Sequence, residues 1–260
     1  MTNRNRSADS ILVLGYHAVS ETWPAALAVT TSQLRAQLEW LLERGYRGST
    51  LHDAVTSEPA GPTLVLTFDD AYASVLELAY PILSSLGLRA TVFAVTDFAE
   101  GDRLLEWPGI DHWRGGRYES ELRGLRWHEL ADLAAGGWEI GSHTCTHPRL
   151  TQLSDEALAD ELRRSRQACE RALGLPCLSL AYPYGDFDAR VGRAAEEAGY
   201  EAAVIEGLAR PRELAWPRVG VYRENSMRQF RLKVSPTLGR LRTTFGRAER
   251  QRSRLSSALA

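Results

Sequence analysis

Thr63-Leu64-Val65-Leu66-Thr67-Phe68-Asp69-Asp70 is a short apolar run that stops at two carboxylates. The run has the length and content of one strand, and its polar end marks where the chain leaves the core. The same signature recurs along the chain. Ile11–Tyr16 ends in His17, Trp138–Gly141 in Ser142-His143, and Leu178–Ala181 in Tyr182-Pro183-Tyr184-Gly185. Short apolar runs alternate with amphipathic segments, which predicts an α/β architecture with a parallel sheet or barrel. Strands are expected near 11–16, 46–50, 63–68, 90–95, 138–142, 178–182, 202–206 and 218–222. Helices over 31–44, 74–86, 154–173 and 186–198 fall between them. The first places Leu34, Leu38, Leu41 and Leu42 on one face and stops at Gly45; the last two open at Ser154 and Asp186 and close at Gly174 and Gly199. Residues 100–126, rich in Gly, Arg and aromatics, show no clear period and read as a long loop of the functional kind. In a β/α barrel the C-terminal strand ends share the face where catalytic groups collect, so four segments converge on one site.

The sharpest of these ends is Gly141-Ser142-His143-Thr144-Cys145-Thr146-His147-Pro148. Two histidines separated by three residues, on a strand end turning into a loop, can aim both imidazoles at one cation. A catalytic zinc takes three protein ligands and keeps a fourth position open. Asp69-Asp70 supplies the missing carboxylate and leaves its neighbour free to handle protons. Taken singly, the histidines read equally well as solvated groups, and the aspartates as a helix N-cap. Both plain readings weaken when the two pairs stand at strand ends of one barrel. Cys145 lies between the histidines, but adjacent side chains diverge, so it is not counted as a ligand. Two histidines and a carboxylate also describe the facial triad of non-haem iron oxygenases; the second Asp and the β/α pattern favour hydrolysis.

With 260 residues, 44% hydrophobic and 25% charged, the chain can bury one sizeable core. A formal charge of −2 removes the overall footprint of a nucleic-acid binder. Residues 231–260 nevertheless hold eight Lys or Arg against one acid, Glu249. Cys145, Cys169 and Cys177 make no disulfide framework and fit a reducing compartment. The run Ile11–Leu14 is cut by Gly15 and His17, too short for a signal segment, and no stretch approaches a membrane span. A cytoplasmic location is therefore expected. The domain plan is a flexible N-terminus over 1–9, a single domain over 10–237 and a mobile basic tail over 238–260. That tail could touch an anionic membrane surface at about 1 kcal/mol per basic residue, although a solvated end is the plainer reading.

Thr67-Phe68-Asp69-Asp70, Ala90-Thr91-Val92-Phe93, the stretch Leu133 to Thr144 with His147, Leu150 and Leu153-Ser154, and Tyr182-Pro183-Tyr184-Gly185 together resemble the NodB-type polysaccharide deacetylases, carbohydrate esterase family 4. The resemblance runs from about residue 10 to 225. It implies an irregular (β/α) barrel that uses a divalent metal to hydrolyse the acetamido group of an N-acetylated sugar, with Zn2+ foremost and Co2+ or Ni2+ as alternatives. It also assigns roles: Asp69 as general base, Asp70, His143 and His147 as metal ligands, and the Tyr184 backbone N–H as an oxyanion donor. There are two departures. No histidine follows His147, and Ala181 stands where many members carry the arginine that pairs with the base. The opening Leu14-Gly15-Tyr16-His17-Ala18-Val19 resembles the circularly permuted branch, which makes His17 the general acid, an imidazole near pKa 6.5 able to donate at neutral pH. Trp216-Pro217-Arg218-Val219 resembles another segment of that branch, so Arg218 is the expected partner of Asp69. These departures also leave room for a carbohydrate-binding protein with little catalysis, against which the retained Asp69 argues. Trp107, Trp113, Tyr118, Tyr184 and Trp216 are candidates for stacking on sugar faces. His52, His112 and His128 read as solvated or capping residues.

Overall fold

In a computed structural model, residues 10–58, 60–207 and 214–235 are described. The expected flexible N-terminus (1–9) and basic tail (238–260) lie outside the described residues. The described helices are α1 (Thr31–Leu42), α2 (Leu51–Thr56), α3 (Tyr80–Ser85), α4 (Trp127–Ala135), α5 (Asp155–Leu173), α6 (Ala189–Glu197) and α7 (Met227–Lys233). None of them is long and apolar enough to cross a membrane.

The quoted run is β5 (Thr63–Phe68), and it organises the sheet. One edge pairs in register with β1 (Ile11–Tyr16), from Ile11 against Thr63 to Tyr16 against Phe68. The other edge is shared: β4 (Arg47–Ser49) takes Thr63–Val65, and β6 (Thr91–Ala94) takes Thr67 and Phe68. From β6 the order runs through β7 (Glu139–Ser142), β8 (Ser179–Ala181), β9 (Ala202–Glu206) and β10 (Trp216–Gly220) back to β1, every pair parallel. Seven strands thus close into an irregular barrel, with β4 appended outside and a two-residue pair, β2 (Ala18–Val19) and β3 (Ala28–Val29), beside it. The first strand of the chain closes the ring between β5 and the last strand, β10.

Strand parity sorts the side chains. On β5, Leu64, Leu66 and Phe68 join the large cluster beneath the helices, while Val65 joins Val13, Phe93, Ala181, Val204 and Trp216 inside the barrel. Leu51 and Ala54 of α2 belong to that inner cluster, and α2 touches both β5 and β9, so it plugs the N-terminal end of the ring. Two residues on from each inner position the same parity carries Val65 to Thr67 and Asp69, Val13 to Gly15 and His17, and Trp216 to Arg218. Alternation alone therefore points the chemistry into the lumen at the C-terminal end.

Local signals explain most boundaries. Thr30 and Gln33 form a capping box on α1, Ser154 accepts from Ala157 N to open α5, and Gly174 closes α5 in the left-handed conformation at φ +66°. Three expectations shift. The helix expected at 186 begins at Ala189, because Asp188 makes the cap to Val191 N while Asp186 accepts from Thr151 N and Oγ1. The last strand lies at 216–220, two residues early. The segment expected as one helix over 74–86 is a π-helical turn, Val75–Ala79, running into α3. The long segment 100–126 has no extended element but is packed: Leu105, Trp107, Ile110, Leu122 and Leu125 are buried, and two 3-10 turns punctuate it. Its aromatics cover one side of the barrel mouth.

Candidate metal and catalytic site

His143 leaves β7 into the lumen with its Nδ1 2.7 Å from the Ala181 carbonyl. That bond fixes the tautomer: Nδ1–H donates, and the Nε2 lone pair is left facing the mouth. Beyond it the chain turns tightly through Thr144 (φ +69°) and His147 (φ +62°), held by Thr144 N donating to Ser142 Oγ and His147 N donating to Thr144 Oγ1. The His147 ring stacks on Trp107 at 4.3 Å. Asp70, also left-handed at φ +66°, presents Oδ1 at 3.5 Å from Nε2 of both histidines.

All three groups are buried, and their ligand atoms lie within 4.8 Å of one another. Burial pulls the His143 imidazole down to about 4 and His147 to about 2, the latter helped by the neighbouring His143. Burial and the adjacent Asp69 charge push the Asp70 carboxyl well up. Asp70 Oδ1 is buried with no hydrogen-bond partner. Two neutral imidazoles and an orphaned carboxylate oxygen, converging on one point, are a donor set that fits a divalent cation of the zinc type.

Asp69 is committed elsewhere. Arg218 reaches it with both terminal nitrogens, Nη1 to Oδ1 at 2.6 Å and Nη2 to Oδ2, and Nη1 also donates to Thr67 Oγ1 at 3.1 Å. Burial would raise this carboxyl, yet the Arg218 guanidinium outweighs it and holds Asp69 well below the usual carboxylate range. The register explains how the pair forms. β1 lies between β10 and β5, so Arg218 must cross β1 to reach Asp69, and it does so over Gly15. A Cβ at Gly15 would sit 3.1 Å from Arg218 Cδ and 3.2 Å from Nε.

His17 places Nε2 3.9 Å from Asp69 Oδ2. The structure corrects the expectation of an ordinary imidazole: burial pulls His17 down, Arg218 adds to the effect, and Asp69 and Glu206 oppose it. Tyr184 adopts φ +58°, with its ring edge-on to His147 at 4.5 Å and its Oη donating to Pro108 O at 3.3 Å. The structure thus brings His17, Asp69, Asp70, His143, His147, Tyr184 and Arg218 to one cleft of about 660 Å3.

Of the candidate sugar-stacking rings, Trp107, Trp113 and Tyr184 line the cleft. Tyr118 packs instead against Trp113, and Trp216 is buried among barrel residues, because its parity points it inward below the site. His112 stands on the cleft wall, His52 pairs with Glu201 at 2.9 Å at the far end of the barrel, and His128 is exposed on α4. Sequence reading missed Glu206, Tyr222 and Arg149, which also line the cleft. Glu206 had a signal: it ends the apolar run of β9 as Asp69 follows that of β5.

Residues 56–203 match the sequence profile described as polysaccharide deacetylase. The Bacillus subtilis (strain 168) protein YxkH is 25% identical over 197 residues, covering 74% of this chain and 63% of that protein. A chitin deacetylase of Amylomyces rouxii is 26% identical over 156 residues, covering 60% of this chain and 31% of that enzyme. The chain therefore spans less than two thirds of the length of either relative. Among solved structures, the Streptococcus pyogenes deacetylase PplD in complex with acetate superposes with a TM-score of 0.71 at 23% identity, covering 87% of this chain and 98% of that one. At that identity the likeness concerns the fold.

Proposed function

This chain belongs to the polysaccharide deacetylase family, and on that premise we propose that it is a metal-dependent N-deacetylase, hydrolysing the acetamido group of an N-acetylated amino sugar in a glycan or glycoconjugate. The observation that carries the reading is the division of labour between two adjacent carboxylates. Asp70 faces the two imidazoles at 3.5 Å with an unsatisfied oxygen, while Asp69 is held by Arg218 with its Oδ2 3.9 Å from Nε2 of both His17 and His143. A pure binding site has no use for the second.

Asp70, His143 and His147 would hold the cation. When bound, such an ion polarises the acetyl carbonyl and lowers the pKa of a water from about 15.7 towards 7. Asp69 accepts the water proton; Arg218 holds its pKa below the usual carboxylate range, so it stays anionic and available as a base below the pH at which an ordinary carboxylate protonates. The Tyr184 N–H donates to the oxyanion, a contact worth roughly 2.7–4 kcal/mol where such donors have been removed. The leaving amine needs a proton, and His17 is placed to give it. Burial disfavours a proton on His17 beforehand, and its 3.9 Å approach to Asp69 lets the proton that Asp69 has received pass to it within the cycle.

The test separates the two aspartates. With zinc or cobalt supplied, acetate release from N-acetylated oligosaccharides is measured alongside metal content. Asp70→Ala should lose both metal and activity. Asp69→Asn should keep its metal and lose on the order of 10²–10⁴ in rate. Equal metal loss in both variants would overturn the assignment, and wild-type protein releasing no acetate from any N-acetylated sugar would overturn the function.

A further inference from the structure

Arg149 follows His147 by two positions and lines the same cleft. Its guanidinium lies over the Tyr184 ring, 4.4 Å from the centroid, and that ring packs against His147. A guanidinium held by its face keeps its N–H donors around the rim, and the aromatic contact reduces the entropy lost when they are used. No carboxylate among the described residues pairs with Arg149, whereas Arg218, the other arginine of the cleft, is taken by Asp69. The acids that bear electrostatically on Tyr184 are Asp70 and Asp111. Asp70 belongs to the metal set, and Asp111 accepts from the Gly109 and His112 N–H groups. Outside the cleft some arginines have acidic partners, as in Arg114–Glu106, Arg123–Glu129 and Arg190–Asp155, while Arg103 and Arg231 lie over Phe98 and Trp40 without one among the described residues; what sets the exposed Arg149 apart is its place in the cleft. On the cleft wall, one aromatic ring away from a metal-set histidine, this one is left uncommitted.

We propose that Arg149, stacked on Tyr184, is a subsite for an oxyanion carried by the substrate, so that the preferred substrate is an acidic N-acetylated glycan with a phosphate or carboxylate on a sugar beside the one that bears the acetamido group. The inference rests on the N-deacetylase reading and narrows its substrate class. A planar guanidinium meets either group through two parallel N–H···O bonds, so phosphate and carboxylate are equivalent at this level.

Binding is measured by titration calorimetry on the full-length, zinc-loaded Asp69→Asn protein, with and without Arg149→Met or Arg149→Lys. The ligands are a neutral N-acetylglucosamine oligomer, one with a phosphate on the neighbouring sugar and one with a neighbouring uronate. At least one acidic oligomer should bind roughly tenfold more tightly than the neutral one, Arg149→Met should erase most of that preference, and Arg149→Lys should restore part of it. The oligomer that shows the effect identifies the anion. No preference for either acidic ligand, or an Arg149→Met loss equal on neutral and acidic ligands, overturns the subsite. Acetate release from the same oligomers by wild-type protein is read separately, so failure of the parent function is not confused with failure of the subsite.

Discussion

The two ends of the barrel hold carboxylates in opposite states, the half-buried Glu139 at one and the buried Asp70 at the other. At the N-terminal end Glu139 is fully engaged: one oxygen accepts from Thr91 Oγ1 at 2.7 Å and from the His52 N–H at 3.1 Å, and the other accepts from Ser179 Oγ. Thr91 Oγ1 in turn accepts from Leu51 N, so strand side chains cap the plug helix α2, whose own Thr50 makes no side-chain cap bond. At the C-terminal end Asp70 Oδ1, His17 Nδ1 and His147 Nδ1 are buried without partners. Backbone strain follows the same division. The non-glycine residues with positive φ among the described residues are Asp70, Ala71, Thr144, His147 and Tyr184, all at the barrel mouth. One end satisfies Glu139 and stabilises the fold; the other pairs Asp69 with Arg218 but leaves Asp70 and two imidazole nitrogens unsatisfied and the backbone strained, a cost tolerated where function requires it.

Substitutions at each end can break or sharpen that contrast. The largest stability effect is expected from Leu51→Ala in the plug. Leu51 is fully buried, and its truncation should cost about 2–5 kcal/mol in denaturant unfolding while leaving kcat/KM for acetate release unchanged well below Tm. A parallel collapse of activity would mean that the ends are not independent. Gly15→Ala lies at the junction. Its Cβ crowds Arg218, which should cost about 1–3 kcal/mol and loosen the hold on Asp69. Asp69 is depressed by that pairing, so its ionised form persists as pH falls below the ordinary carboxylate value. Weakening the pairing raises Asp69 and moves the acid-side loss of kcat/KM to higher pH. An unmoved acid limb would disconnect Arg218 from the proposed role of Asp69 as base. The smallest effect belongs to Ala71→Gly. Glycine removes a left-handed penalty of about 1–2 kcal/mol and returns about 0.5–1 kcal/mol in chain entropy, for a small rise in stability. Calorimetric destabilisation would show that the strain at the mouth is not local.

The barrel was legible because its signals are local: apolar runs, polar strand ends, and caps at Thr30, Ser154 and Gly174. Boundaries failed where two candidates competed, as Asp186 and Asp188 did for one helix start, since the choice depended on Thr151 from a distant turn. Segment 100–126 was legible as aperiodic but not as packed, because its partners come from elsewhere in the chain. The site residues stood out by type, at the ends of strands. Arg149 did not, because an arginine in a turn carries no pattern; only its place over Tyr184 on the cleft wall distinguishes it.

By itself, the sequence determined the strands, their order of appearance, and which side chains stand at their polar ends, because period-two alternation and capping act within a few residues. Tertiary structure alone decided that β1 closes the ring between β10 and β5, that Arg218 crosses Gly15 to reach Asp69, and that Asp70 is left facing two imidazoles. Those outcomes follow from register and burial, which join residues as far apart as Asp69 and Arg218 and set their charges through a shared, water-poor interior.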